Sequence, residues 1–364
     1  MRPLYVVGTE RNVGKTTLCI GLIHALRERG LRVGYTKPLG QRITTVEGRQ
    51  IHDDALVVSQ VMGMTAAEST SMAVPLTRGR VEREIFDLHT PELAEKVSAA
   101  CRQLRREHDI VIVEGMGHVA TGACLGLSAA EVARVVGAKT MIVSSGGIGS
   151  TIDEVALCAT FLEARGADLT GAVINKIWPE KYRRVRQATA KGLDNLGIRH
   201  LGAVPYEEIL ASPTVEQVAH QLDGEVLCGR DLLSNRVGNT VVAAMEAHHM
   251  VSYLKHNSLV ITPGDRSDNL LAIISTYMLT AGADPAVSGV VLTGGFRPTG
   301  KVMELVGESG LPVVLCREDT YSLATRLREI VFKITPDDSE RIGAAMCVVS
   351  EYVDVEGLLE TLRE

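Results

Sequence analysis

Short apolar runs alternate with longer stretches of helical period through the first 212 residues. The runs fall at 4–7, 33–35, 110–113, 140–143, 172–174 and 201–204, and amphipathic stretches such as 16–29, 91–106 and 153–165 lie between them. Strand, helix, strand in this rhythm predicts an α/β fold with a doubly wound parallel sheet, whose buried strands read as unbroken Val/Ile/Leu runs. Ligands of such sheets bind at the carboxyl ends of the strands. A second, smaller α/β unit begins within 211–229, where Ser212-Pro213 and Asp223-Gly224 supply turn chemistry. Its strands are expected at 259–262, 289–293 and 313–316, and its clearest helices at 268–281 and 320–332. The organisation predicted is a first domain over 1–212, a second over 213–335, and a helical tail over 336–364 packed on the second domain.

Composition narrows the function classes. Aromatic residues make up 4% of the 364 residues, so the cores must be built from aliphatic side chains and Met. With a net charge of −6 and no basic stripe interleaved with aromatics, no nucleic-acid partner is expected. The one basic run, Lys181, Arg183, Arg184 and Arg186, reads as a solvated helix face. The 7 cysteines are scattered without a CxxC pair, which suggests reduced thiols in a cytoplasmic protein. No apolar run is long enough to cross a membrane, and with a strand expected from residue 4 no signal peptide is expected.

The chemistry is concentrated near the start. Gly8-Thr9-Glu10-Arg11-Asn12-Val13-Gly14-Lys15-Thr16-Thr17 follows an apolar strand and opens a helix. Backbone amides of such a turn converge on phosphate oxygens, and the helix start adds its positive dipole end. Lys15 would neutralise the β/γ-phosphates, and the Thr16 hydroxyl would ligate Mg²⁺. The spacing is one residue longer than the usual Gly-x4-Gly-Lys-Thr. Further metal ligands should be hard oxygen donors, and Asp54 and Glu114 are the candidates, each at the edge of a predicted element. Lys37, before Pro38, could stabilise transferring phosphoryl charge, or be a solvent-facing lysine before a turn.

These residues together resemble dethiobiotin synthetase and its relatives, which include cobyrinic acid a,c-diamide synthase and the N-terminal domain of long phosphotransacetylases. The carrying motifs are the loop from Gly8 to Thr16, Lys37-Pro38, Asp54-Ala55-Leu56, Val113-Glu114-Gly115 and Asn175. The resemblance implies ATP and Mg²⁺ as cofactors and a homodimer. It implies Thr16, Asp54 and Glu114 as metal ligands, Lys15 and Lys37 as catalytic lysines, and Asn175 as the residue that holds the adenine. Gly8, Asn12, Val13, Gly14, Lys15, Thr16 and Thr17 would line the phosphates. Glu10-Arg11-Asn12-Val13 departs from the loop that holds the diamino acid in dethiobiotin synthetase, and no activated cysteine suggests a glutaminase. Residues 263–268 and 292–298 resemble the DRTGG domain, with Asp265, Arg266, Thr293, Gly294 and Gly295 as a candidate effector site, or as tight turns between packed elements. Two functions follow from the resemblance. One is a regulatory Mg-ATP-binding protein with a ligand-sensing second domain. The other is an ATP-dependent ligase that phosphorylates a carboxylate or carbamate.

Three further patterns lead to blander readings. Gly146-Gly147-Ile148-Gly149 reads as a flexible loop lining the same site. His248 and His249 are adjacent on a helix and cannot chelate one metal together. His118, four residues after Glu114, reads as a structural or surface histidine rather than a base.

Overall fold

The computed structural model describes residues 1–40, 43–46, 49–64, 74–87, 90–280 and 285–364. Every apolar run of the first 212 residues becomes a strand of one sheet. Strands β1 (Leu4–Gly8) and β2 (Val33–Thr36) precede the short strands β3 (Leu39–Gly40), β4 (Ile43–Val46), β5 (Arg49–His52) and β6 (Val74–Pro75). Strands β7 (Ile110–His118), β8 (Lys139–Ser145), β9 (Asp168–Ile177) and β10 (His200–Pro205) follow. The main sheet has the order β10-β9-β8-β1-β7-β2, and all its pairings are parallel. Alternation along β1 sends Leu4 and Val6 into one core and Tyr5 and Val7 into the other, so both faces are covered.

Helices Thr90–Glu107, Ala129–Val136, Gly149–Ala164 and Tyr182–Asn195 supply residues such as Leu104, Ala133, Val155 and Leu193 to one core. Helix Lys15–Glu28 lies on the opposite face and is apolar on most sides, with Leu18, Ile20, Leu22, Ile23 and Leu26 all buried. A helix buried on so many sides needs a second layer above it. The C-terminal segment provides that layer.

The chain forms two compact units, one of Met1–Leu210 with Ile334–Glu364 and one of Ala211–Lys333. The helical tail, expected on the second unit, therefore belongs to the first. Helices Ser339–Tyr352 and Val355–Arg363 bring Val348, Val349, Leu358, Leu359 and Leu362 into the core that holds helix Lys15–Glu28. The contact is close because Gly21 has no side chain. A Cβ there would sit 2.3 Å from Val349 Cγ2 and 2.4 Å from the Ala345 carbonyl oxygen. The tail is also tied by backbone bonds, Asp354 N to the Leu201 carbonyl at 2.7 Å and Arg2 N to the Leu362 carbonyl at 3.1 Å.

The second unit is also α/β. Strands β11 (Glu225–Cys228), β12 (Asn239–Val242), β13 (Ser258–Pro263), β14 (Val287–Thr293) and β15 (Val313–Leu315) take the order β11-β15-β14-β13-β12. Within that sheet β11 runs antiparallel and the other pairings are parallel. Helices Ser267–Thr280 and Lys301–Ser309 cover one face, and Val215–Gln221 and Thr320–Glu329 the other. Among the described residues no helix is long and apolar enough to cross a membrane.

Candidate functional site

The loop after β1 is shaped by close approach. A Cβ on Gly8 would lie 2.7 Å from the Glu10 carbonyl oxygen and 2.9 Å from Lys15 Nζ. Gly14 sits at φ 95° and Asn12 at φ 61°, left-handed conformations that Gly and Asn adopt most readily. Helix Lys15–Glu28 starts directly after Gly14 with no side-chain cap and no acidic residue in its first turn. Its first amides are therefore left for an anion, reinforced by the helix dipole. Lys15 is buried (7% exposed) and donates from Nζ to the carbonyls of Glu10 at 3.2 Å and Gly117 at 3.3 Å. Burial lowers its pKa, against an opposing pull from the nearby Glu114 carboxylate.

A buried ionic cluster lies beside this lysine. Glu114 stands in β7 opposite Val6 of β1, at the carboxyl end of the sheet. Its Oε1 accepts from the Thr16 hydroxyl at 2.9 Å and from Lys37 Nζ at 2.7 Å, and its Oε2 accepts from the Tyr35 hydroxyl at 2.6 Å. Lys37 also pairs with Asp54. Tyr35 and Lys37 are two residues apart at the end of β2, so both can point to the same side and reach one carboxylate. Asp54 sits in the first turn of helix Asp53–Val61, where its backbone N–H donates to His52 Nδ1 at 3.0 Å. Gly40 makes room for that imidazole, since a Cβ there would fall 1.8 Å from His52 Cδ2.

The electrostatics of the cluster keep Lys37 charged and Tyr35 neutral. Burial alone would lower the pKa of Lys37, but Glu114 and Asp54 outweigh it and hold the ammonium well above its ordinary value. Burial and Glu114 push the Tyr35 hydroxyl far up, so it stays a hydrogen-bond donor. Asp54 and Glu114 thus present oxygens to one cation, the Lys37 ammonium, and the Thr16 hydroxyl donates to the same Glu114 oxygen. A hard-oxygen set of this kind suits Mg²⁺. Among the described residues no group of three or more His, Cys, Asp or Glu could hold a metal ion by itself. An ion here would need further oxygens, which a polyphosphate can supply.

The structure thus brings Lys15, Thr16, Lys37, Asp54 and Glu114 together. Asn175, near the end of β9, is anchored by two backbone contacts. Its Nδ2 donates to the Val13 carbonyl at 2.8 Å and its Oδ1 accepts from the Lys176 amide at 2.9 Å. The missing side chain of Gly14 admits it, because a Cβ would lie 2.2 Å from Asn175 Nδ2. Lys176, at φ 59°, donates from Nζ to the Asn12 carbonyl at 2.6 Å. Both residues hold the loop. Sequence reasoning did not single out Tyr35, His52 or Lys176 for a role. The two-residue spacing of Tyr35 and Lys37 was the available signal for the first.

Other candidates separate from this cluster. His118 is exposed, and its Nδ1 accepts from the Ala120 amide. The rings of His248 and His249 stack at 3.9 Å. Lys181, Arg183, Arg184 and Arg186 are all exposed. The loop at Gly146 packs on the end of β9, where a Cβ would lie 2.8 Å from Ile177 Cα.

In the second unit Pro263 and Thr293 are register partners, so both loops leave the same edge of that sheet. Gly294 and Gly295 have φ 80° and 71°, and their amides donate to the Glu318 and Cys316 carbonyls at 2.7 and 2.9 Å. The Thr293 hydroxyl bonds to that of Thr320 at 2.7 Å. Arg266 pairs with Asp268, both of its bonds being 2.8 Å. Asp265 is exposed. These glycine amides serve the turn itself.

Residues 2–214 match the family model described as AAA domain, more than half of the chain. The chain belongs to that AAA domain family. Its sheet, loop and helix order make the first unit a P-loop nucleotide-binding domain. Residues 217–330 match the DRTGG domain. Similar curated proteins include the phosphate acetyltransferase of Nitratidesulfovibrio vulgaris, 28% identical over 96% of this chain and 50% of that protein. Another is the phosphate acetyltransferase of Pseudomonas putida, 27% identical over 98% of this chain and 51% of that protein. The chain spans about half the length of the curated relatives it matches. Among solved structures, the MinC:MinD cell division complex of Aquifex aeolicus aligns with a TM-score of 0.37 at 15% identity, over 58% of this chain and 83% of that one.

Proposed function

We propose that this chain binds Mg-ATP in its first unit and acts as a regulatory module, with a small-molecule effector at its DRTGG domain. The nucleotide unit is read as dethiobiotin synthetase-like in its ATP machinery. The gathering of Lys15, Thr16, Lys37, Asp54 and Glu114 at the start of an uncapped helix carries the reading. On this reading Lys15 and the loop amides take the β/γ-phosphates. Thr16, Asp54 and Glu114 hold the magnesium ion, which would screen phosphate charge. Relatives named phosphate acetyltransferase, matched over about half their length, fit a module that serves a larger catalytic assembly.

One observation favours a second reading, an ATP-dependent ligase acting on a carboxylate or carbamate. Lys37 remains beside the ion site, and a merely binding site does not need a phosphoryl-transfer lysine. Against this, Lys37 is already accounted for as the counter-ion of two buried carboxylates. Calorimetry with ATP at millimolar magnesium tests the shared core: binding is expected, and Lys15→Ala should weaken it by roughly 3 kcal/mol, the scale of a charge-assisted contact. Unchanged affinity in that variant would remove both readings. Phosphate release with ATP, bicarbonate and a panel of amines separates them. Turnover abolished by Lys37→Ala would replace the regulatory reading with the ligase.

A further inference from the structure

The sheet of the second unit ends differently at its two edges. β11, at one end, opens on Glu225, which pairs with Arg297, and its register shifts between Val226 and Cys228. A charge and a bulge of this kind keep other strands away from an edge. β12, at the other end, reads Asn239-Thr240-Val241-Val242, with neither charge nor proline, and its register with β13 is unbroken.

The outer side of β12 is equipped for pairing. The Ala243 amide donates inward to the Ile261 carbonyl at 2.8 Å. Alternation along the strand therefore turns the peptide groups of Val241 inward and those of Thr240 and Val242 outward. The Val242 carbonyl accepts from the Ala244 amide at 2.9 Å, which leaves Thr240 at the centre of the open edge. Beside it, Met245, Met250 and Tyr253 join β12 in lining a cavity of about 350 Å³. Val242, Met245 and Tyr253 are exposed there. Charge is divided along the strand. Lys255 flanks its start, because the Lys255 amide and carbonyl both bond to the hydroxyl of Ser258, the register partner of Asn239. Glu246 follows its end, 3.5 Å from His248.

We infer that β12 pairs with β12 of a second copy of this chain, antiparallel about a twofold axis at Thr240. Thr240 then exchanges both backbone bonds with its own counterpart, and two five-stranded sheets become one. Antiparallel pairing sets the Lys255 end of each strand beside the Glu246 end of the other, whereas parallel pairing would oppose like charges. The exposed apolar side chains of both copies close over the junction. A twofold contact uses one patch twice, so a second copy supplies everything this edge asks for.

Thr240→Pro tests the pairing, since it removes the outward N–H and leaves the bonds to β13 in place. In sedimentation of the full chain at micromolar concentration, this variant should run at half the native mass, with a urea midpoint close to native. Lys255→Glu and Glu246→Lys should each weaken association about tenfold, and the double variant should restore most of the loss. Cross-linking reads the position. With the exposed cysteines removed by Cys124→Ser and Cys347→Ser, Thr240→Cys should form a disulfide between copies on mild oxidation. Residues paired in this way have Cα atoms about 5.5 Å apart, within disulfide reach. A native chain that sediments as a monomer overturns the inference. So does an assembly whose mass survives Thr240→Pro and whose Thr240→Cys form stays uncross-linked, because it uses another surface.

Discussion

His200 illustrates how one side chain can set a pH limit on this fold. It lies in β10, and its Nε2 is buried without a hydrogen-bond partner. Burial lowers its pKa, and the Arg186 guanidinium adds to the effect. The unfolded chain, with a histidine near pH 6.5, therefore takes up the proton first as pH falls. Native stability from this residue is present above about pH 6.5 and is lost as pH drops through the lower folded value. Denaturant midpoints should fall between pH 7 and pH 5, and His200→Gln should flatten part of that slope. An equally steep slope in the variant would assign the effect to other groups. Lys37 shows the opposite balance: two carboxylates overcome its burial, so its charge persists across the same range. At this scale the sequence was informative about residue type and silent about partnership. Lys37, Asp54 and Glu114 could each be named as candidates from the edges of predicted elements. That a lysine would neutralise both carboxylates depends on β2, β7 and helix Asp53–Val61 converging, which no single element encodes.

Among the elements, strands were more legible than their decorations. The apolar runs at 110–113 and 172–174 became the cores of β7 and β9, but both strands continue past the run to His118 and Ile177. Those extensions carry Glu114 and Asn175, polar residues that a hydrophobic pattern treats as a stop. The strands β3 and β6 escaped notice because each is two residues long. Helix Lys15–Glu28 holds a different lesson. Gly21 in its middle looks like a weak point, since glycine costs a helix interior about 1 kcal/mol relative to Ala. Its purpose appears only with the crossing helix Ser339–Tyr352, whose Ala345 carbonyl and Val349 side chain occupy the space a Cβ would need. Gly21→Val should therefore destabilise the chain by about 1–3 kcal/mol beyond any change in helix propensity. Urea denaturation checks this, and a stabilised variant would show that the two helices separate without cost.

For the whole molecule, the decisive feature is that the first unit is closed by residues the chain supplies last. The second unit, Ala211–Lys333, interrupts the sequence of the first, and Ile334–Glu364 returns to finish its core. Arg341 marks that return. It is 2% exposed, donates from Nε and Nη2 to the Leu210 carbonyl at 3.2 and 2.6 Å, and lies 3.6 Å from Asp338. Leu210 is the last residue of the first stretch, so one buried guanidinium holds the point of departure against the point of re-entry. Local periodicity could report that the tail is helical but not which unit it would cover, because its apolar face is compatible with either. Removal of 334–364 should leave helix Lys15–Glu28 uncovered. Val348, Val349, Val355, Leu358, Leu359 and Leu362 are all buried there, and at about 1.5–3 kcal/mol each their loss is on the order of 10 kcal/mol. That matches the entire stability of an ordinary domain. The chain ending at 333 should therefore bind a hydrophobic dye and lose its cooperative unfolding transition. Arg341→Met, which keeps the apolar face, should instead retain cooperativity and lose about 3 kcal/mol, because the Leu210 carbonyl and the Asp338 carboxylate are left buried without the guanidinium. A truncated chain that unfolds cooperatively at the native midpoint would mean the first unit is complete without its last two helices.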